Sequence, residues 1–390
     1  MVEWKKIWEL TIWDKKFNGV DKLMQPKVIK YHYYLANELT NLERNDGNIR
    51  ILYTTDKIAY TSSEDVEGNI CEGEVVAIPW GGNPTVKYYS GRFVTADNRI
   101  ATSNDTSVLN NKYLYYFMLS RIDTIGSFYR GAGIKHPSMS SVLNMDIPVP
   151  SITEQTRIVG ILDTFTASIE NLKQQIAQRR KQYEHYRDQL LDLEGKEGVE
   201  MKSLGEICII KNGYTPSTKN PDFWNNGSLP WFTLEDIRKN GRVLVDAIKH
   251  ITPSGVKKGG LFQKDSIIVS TTATIGEYAI IKTDFLCNQQ ITCLSIKEIC
   301  KKQLLPKFLY YLADGIGKWC KQNVNGGGSL LIVSTSKLQK KPIPVPSLQD
   351  QSRIVSILDT FEASIANLEQ QLAQRERQYE YYRNKLLTFE

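Results

Sequence analysis

The sequence predicts an α+β protein: two similar globular domains separated by two long antiparallel coiled-coil helices, with pseudo-two-fold symmetry. Three observations carry this. Residues 147–194 and 343–390 are copies at a constant offset of 196, with 32 of 48 positions identical and no gap. Inside both copies the apolar and aromatic residues fall at 4–3 spacing for five heptads, the period of a coiled-coil seam. The remaining stretches, 1–146 and 195–342, are each the size of one ordinary domain. A period this long marks a duplicated domain-plus-helix unit rather than a solenoid.

Taken in order, residues 21–44 and 112–122 read as helices and Glu74–Ile78 as a strand, with turns at Asn18-Gly19 and Asp46-Gly47. The first long helix follows. Pro148 and Pro150 exclude a helix before them, and Ser151 with Glu154 has capping-box spacing. Its seam is Ile158, Leu162, Phe165, Ile169, Leu172, Ile176, Arg179, Tyr183, Tyr186, Leu190 and Leu193. In the second stretch, Ser266–Val269, Tyr278–Ile281 and Ile291–Ile296 read as strands and 306–323 as a helix. Turns are expected at Asn212-Gly213, Asn226-Gly227, Asn240-Gly241 and Asn325-Gly326. The second long helix has a weaker cap echo in Ser347 with Asp350. Its seam is Ile354, Leu358, Phe361, Ile365, Leu368, Leu372, Arg375, Tyr379, Tyr382, Leu386 and Phe389.

Such a seam rises ~54 Å at 1.5 Å per residue, longer than a small domain is wide, so it is not an ordinary core helix and needs a partner. The nearest partner is the other copy. If the ends of the second globular stretch lie close together, the second helix starts where the first stops and the pair is antiparallel. Arg179 and Arg375 on the seam should cost stability and fix register if an acid of the partner helix reaches them.

The globular stretches are worn copies too. VEWKKIWEL (2–10) matches VEMKSLGEI (199–207), KYLYYFM (112–118) matches KFLYYLA (307–313), and GAG (131–133) answers GGG (326–328). Net charge is +6, but residues 1–150 are neutral, the helical repeats carry −3 and residues 195–346 carry +9. A basic second domain favours a polyanionic partner. Six cysteines without a Cys-x-x-Cys and four scattered histidines give no metal pattern. With no signal-peptide core and no run of ~20 apolar residues, a soluble cytoplasmic protein is expected.

Polar, glycine-bearing loops offer the chemistry of base reading: Asn and Gln pair with adenine, Arg and Lys with guanine, and glycine lets backbone approach phosphate. In the first domain these are PWGGNPT (79–85), DNRIATSND (97–105) and RGAGIKHPS (130–138). Their candidate contacts are Trp80, Gly81, Gly82, Asn83, Asn98, Arg99, Arg130, Lys135 and His136. In the second they are KNGYTPSTKN (211–220), STTATIGEY (270–278), CNQQIT (287–292) and NVNGGGS (323–329). There the candidates are Lys211, Asn212, Tyr214, Thr215, Ser217, Lys257, Lys258, Thr271, Thr272, Asn288, Gln289, Gln290, Asn325 and Ser329. Arg99, Lys135, Asn83 and Gln289 are the leading base readers, and Lys211, Lys257 and Lys258 the phosphate contacts. Any one loop alone reads as a plain hairpin turn; the set is more persuasive.

No catalytic constellation is found. A G-x-x-x-x-G-K-S/T phosphate loop is absent. Asn220-Pro221-Asp222-Phe223 lacks the second proline of an amino-methyltransferase motif, and Pro221-Asp222 with Glu235 lacks the acid-x-Lys of a nuclease. His185 sits on a solvated helix.

The exit motif IPVPS with TEQTRIVGILD, repeated as LQDQSRIVSILD, resembles the conserved regions of type I restriction–modification specificity subunits. The opening of the second domain, KSLGEICIIKNGYTPSTKNPDFWNNGSLPWFTLEDI, resembles their target-recognition domains. The resemblance implies target-recognition domains at 1–146 and 195–342 and spacer helices at 147–194 and 343–390. It also implies a non-catalytic subunit that joins two adenine methyltransferase (modification) subunits and two ATP-driven restriction subunits on double-stranded DNA. S-adenosylmethionine, ATP and Mg would then reside on those partners, with no cofactor in this chain. Two rivals stay open: a coiled-coil adaptor that never touches nucleic acid, and the recognition subunit of a single restriction–methylation enzyme.

Overall fold

The structure, a computed structural model, describes residues 2–66, 68–325 and 331–389. It divides into two compact units, Met1–Gln174 with Glu369–Glu390, and Gln175–Leu368. Each long helix therefore contributes one part to each unit.

In the first unit the chain runs β1 (Glu3–Lys6), α1 (Ile7–Leu10), β2 (Thr11–Trp13), α2 (Ala36–Leu42), β3 (Ile49–Leu52), β4 (Ile58–Thr61), β5 (Cys71–Pro79), β6 (Lys87–Thr95) and β7 (Asn98–Ser103). It continues through α3 (Asn111–Ser120), α4 (Ile122–Ser127), β8 (Tyr129–Arg130), β9 (His136–Pro137), α5 (Met139–Leu143) and β10 (Asp146–Val149) into α6 (Ile152–Leu191). The main sheet has the order β2-β7-β5-β6-β3-β4, antiparallel except for β3 against β6. The predicted helix over 21–44 is a correction: only α2 and a 3-10 turn at Lys22–Met24 are helical. Pro26 breaks the run, and the backbone bonds go to the sheet instead, Ile29 N–H to Trp13 O (3.0 Å) and Tyr34 N–H to Thr95 O (2.9 Å).

The second unit holds the end of α6, then β11 (Glu200–Ser203), α7 (Leu204–Ile207), β12 (Cys208–Asn212), β13 (Leu229–Phe232), α8 (Leu234–Asn240), β14 (Val243–Leu244), β15 (His250–Ile251), β16 (Ser266–Ser270) and β17 (Tyr278–Ile281). Then come β18 (Leu286–Cys287), β19 (Ile291–Ile296), α9 (Pro306–Gln322), α10 (Thr335–Gln339), β20 (Pro342–Val345) and α11 (Leu348–Leu387). Its main sheet is ordered β12-β19-β16-β17-β14, with β14 parallel to β17. Strand for strand this repeats β2-β7-β5-β6-β3, so the diverged middles keep one topology. The second domain adds a small sheet, β15-β13-β18, and among its described residues no strand pairs with β14 as β4 does with β3.

The long helices are locked to their domains by the same device twice. Gln155 is fully buried; its side-chain amide donates to Val108 O (2.8 Å) and Pro150 O (2.9 Å) and accepts the Asn110 N–H (2.9 Å). Gln351, 196 residues on, donates to Gln303 O and Pro346 O and accepts the Leu305 N–H. Ile158 and Leu162 enter the first core, and Ile354 and Leu358 the second.

Within the first unit, Phe165 stacks on Tyr382 (5.4 Å, 26°), while Lys173, further along α6, pairs with Glu376, further back along α11. The helices run antiparallel there. The seam arginines have a different partner from the one expected. Arg375 lies over Phe165 (5.6 Å) and Arg179 over Phe361 (5.9 Å), and neither forms an ion pair with an acid among the described residues. The predicted seams also outrun the helices by two residues, since Leu193 and Phe389 follow the last helical residues Leu191 and Leu387. Among the described residues no helix is long and apolar enough to cross a membrane.

Candidate nucleic-acid interface

In the first domain the structure brings two of the three predicted loops together. The turn between β5 and β6 meets the β8–β9 hairpin that carries the GAG run. Gly82 N–H donates to Lys135 O (3.1 Å), His136 Nδ1 lies 2.8 Å from Trp80 O, and their rings tilt against each other at 4.9 Å. Glycine is needed here for contact rather than flexibility alone. A Cβ on Gly81 would stand 2.8 Å from the Ile134 side chain, and Gly131, at φ +143°, would meet Ile134 O at 2.8 Å. Gly82, Asn83, Arg130 and Lys135 are exposed around this contact, which also holds out Ile134, 70% exposed.

Asn98 and Arg99 are corrections. Residues 98–103 are a central strand, not a loop, and both side chains are 3% exposed. Asn98 Nδ2 donates to Leu52 O (2.9 Å) and Thr95 Oγ1 (3.1 Å). Arg99 pairs with Asp97 (2.8 Å) and Asp14 (3.7 Å) and lies 4.0 Å from the Trp80 ring centroid. These residues support the loop from beneath. Burial pushes the Asp14 carboxyl up to about 6, against the pull of the Ile100 N–H and Arg99.

The second domain gathers its candidates in two groups. In one, Thr271 bonds Thr292 (2.7 Å), which donates to Asn212 Oδ1 (2.8 Å). Thr271 is 2% exposed and so cannot read bases, a further correction. Asn288 and Gln290 bond each other, leaving Gln289 exposed. Thr272 bridges Ile332, and Asn325 N–H donates to Ile332 O (2.9 Å), so Ile332, which follows the GGG run in sequence, lies beside the β16–β17 turn. This is the arrangement of the first domain. Ser329 and the GGG run at 326–328 lie outside the described residues.

In the other group, the Tyr214 hydroxyl accepts the Lys257 N–H (2.8 Å) under the Lys257 ammonium, 4.5 Å above the ring. Thr215 donates to Gln289 and ties the two groups together. Lys211, Ser217, Lys257 and Lys258 are exposed at the rim. Gly213 is no free turn: a Cβ there would stand 2.2 Å from Cys287 O. Among the described residues no cluster of His, Cys, Asp and Glu could hold a metal ion.

The sequence pattern alone did not single out one surface of the first domain, a groove between the β3–β4 hairpin and β6 holding Arg50, Lys57 and Lys87 among tyrosines. Its signal was legible, since RILYTTDKIAY (50–60) and VKYYSGR (86–92) interleave cations with rings.

The family model described as "Type I restriction modification DNA specificity domain" matches residues 21–179 and again 196–377. The EcoprrI specificity subunit of Escherichia coli is 41% identical over 215 residues, 52% of this chain and 53% of that protein. The chain thus spans about half the length of that relative in the match. The EcoR124I/EcoR124II specificity subunit of Escherichia coli is 35% identical over 311 residues, 75% of this chain and 74% of its own. In fold, the chain is similar to a type I restriction–modification S subunit from M. genitalium, with TM-score 0.64 at 16% identity, covering 100% of this chain and 97% of that one.

Proposed function

Because the chain belongs to the type I restriction modification DNA specificity family, we propose that it is the DNA-reading, non-catalytic subunit of a type I restriction–modification complex. Its first domain reads one short half-site and its second reads another, and the helices fix the spacer between them. The observation that carries this reading is the duplication. One sheet topology occurs twice, each time with residues next to a glycine run in sequence lying beside a sheet turn, and the residues around those runs differ. Like scaffolds with unlike contacts suit an asymmetric, bipartite sequence.

The residues sort by role. Asn83, Lys135 and Gln289, exposed on loops, are candidates for base edges, while Arg130, Lys211, Lys257 and Lys258 are candidates for phosphate. Asn98, Arg99 and Thr271 hold the loops in shape. Two methyltransferase subunits and two translocase subunits supply the chemistry, with S-adenosylmethionine, ATP and Mg bound to them, in the cytoplasm. The repeated helices offer matching surfaces to two copies of one partner.

The test is a map of methylated adenines in a host carrying the system, before and after the two globular segments exchange places. A split target whose halves change places supports the reading; an unaltered or continuous target sinks it.

A further inference from the structure

The groove of the first domain has about 370 Å³ of space, with the β3–β4 hairpin on one side and the start of β6 on the other. Its cations are unevenly matched. Lys57 is neutralised by Glu43, which also accepts from the Tyr53 hydroxyl. Arg50 instead lies 5.3 Å from the Tyr60 ring centroid, and Lys87 donates to the Tyr53 carbonyl. Among the described residues neither Arg50 nor Lys87 has a carboxylate within ion-pair distance. Burial pushes the Lys87 ammonium down to about 8; Asp56 in the same groove opposes this and Arg50 adds to it. Half-buried Lys87 and its neighbour Arg50, with no carboxylate at ion-pair distance, leave two incompletely compensated cations lining the empty groove.

We propose that this groove is a phosphodiester-binding subsite, in which Arg50 and Lys87 clamp the DNA backbone between the rings of Tyr60 and Tyr89. The inference rests on the DNA-reading role above and goes beyond its loops. An anion between Arg50 and Lys87 gives each cation a charge-assisted bond. The tyrosines add hydroxyl donors and ring faces of the kind that line nucleic-acid grooves. Charge explains why the first domain carries such a device. With net charge zero over residues 1–150 it lacks the diffuse attraction available to the second, at +9 over 195–346. Among the described residues the second domain shows no counterpart, because β14 is two residues long and forms the sheet edge without a hairpin. The phosphate grip of the two half-sites is therefore unequal in kind.

The experiment measures duplex binding by the full chain with its modification subunits across a range of salt, on DNA bearing the mapped site. In the double variant Arg50→Gln with Lys87→Met, the slope of log affinity against log salt should shrink by about 0.9, the value for one lost phosphate. The preference for matched over mismatched half-sites should not change. Lys87→Arg should restore its share. Lys87→Met keeps the aliphatic stem and removes a half-buried charge, so an undiminished melting temperature separates lost binding from lost folding. A folded double variant with the wild-type slope overturns the proposal. So does loss of the modification subunit at an unchanged slope, which would assign the groove to an acidic protein. Competition by a free mononucleotide at an unchanged slope would assign the groove to a small ligand and overturn the proposal equally. A wild-type complex without salt-dependent binding would bring down the DNA-reading role itself, and this subsite with it.

Discussion

Arg99 lies with its guanidinium 4.0 Å from the centroid of the Trp80 indole, so the floor of the first domain's loop site grips its rim. The cation is buried and shared between Asp97 and Asp14. Replacing it by methionine leaves Asp14 buried without its cation. Arg99→Met should lower stability by ~3 kcal/mol, the scale for removing one partner of a buried pair. Asn83→Ala, on the exposed rim, should leave the melting temperature unchanged and alter DNA binding alone. Thermal unfolding with a binding isotherm for each variant checks both, and a stable Arg99→Met with altered sequence preference would restore Arg99 as a base reader.

Asp14 makes the first domain sensitive to mild acid in an unusual direction. Its carboxyl is raised to about 6 in the folded chain, mainly by burial, from an ordinary value of 3.8. Between these values the folded state binds more protons than the unfolded state, so this group's contribution to stability falls as pH rises from about 4 to about 6. In a melting series over that window, Asp14→Asn should remove this falling component. Curves for wild type and variant that stay parallel would show that Asp14 titrates normally.

What could be read from the sequence followed the range of the interactions. The long helices were legible because a 4–3 pattern repeats locally for five heptads, and Ser151 and Ser347 do meet the N–H groups of Glu154 and Asp350. Residues 98–103 looked like a loop because Asn98 and Arg99 are polar, yet they lie in a central strand. Their partners, Leu52 and Asp14, are 46 and 85 positions away, and no local pattern encodes them. Residues 21–44 failed for a related reason, since backbone bonds to Trp13 and Thr95 override a helical period. The common sheet order of the two middles was invisible because burial, not residue identity, is what the duplicates retained.

Gln155 and Gln351, both fully buried, each bond one backbone N–H and two backbone carbonyls. Gln351→Ala should therefore cost ~2–4 kcal/mol, the sum of a small cavity and unsatisfied backbone groups. Gln155→Ala should cost a similar amount. Hydrogen exchange gives a local readout: the Leu305 amide should lose protection in Gln351→Ala, and the Asn110 amide in Gln155→Ala. Unchanged protection at both amides would mean that the glutamines are not the clasp.

Gly213 supplies the sharpest steric prediction. Its neighbour Asn212 ends β12, and the chain then passes so close to residues 287–288 that an added methyl group would sit 2.2 Å from Cys287 O and 2.4 Å from Asn288 O. Both obstacles are backbone carbonyls, which cannot swing aside as a long side chain can. The Tyr214 N–H bond to Cys287 O (2.8 Å) and the Thr215–Gln289 contact depend on the same approach. Gly213→Ala should displace both, destabilise the second domain by ~3 kcal/mol or more and erase the second half-site while sparing the first. Gly259, in the same domain, has open space at its Cβ and no left-handed backbone, so Gly259→Ala should be neutral. A Gly213→Ala chain that melts like wild type and reads both half-sites would mean that β12 and the 287–290 loop are not in contact.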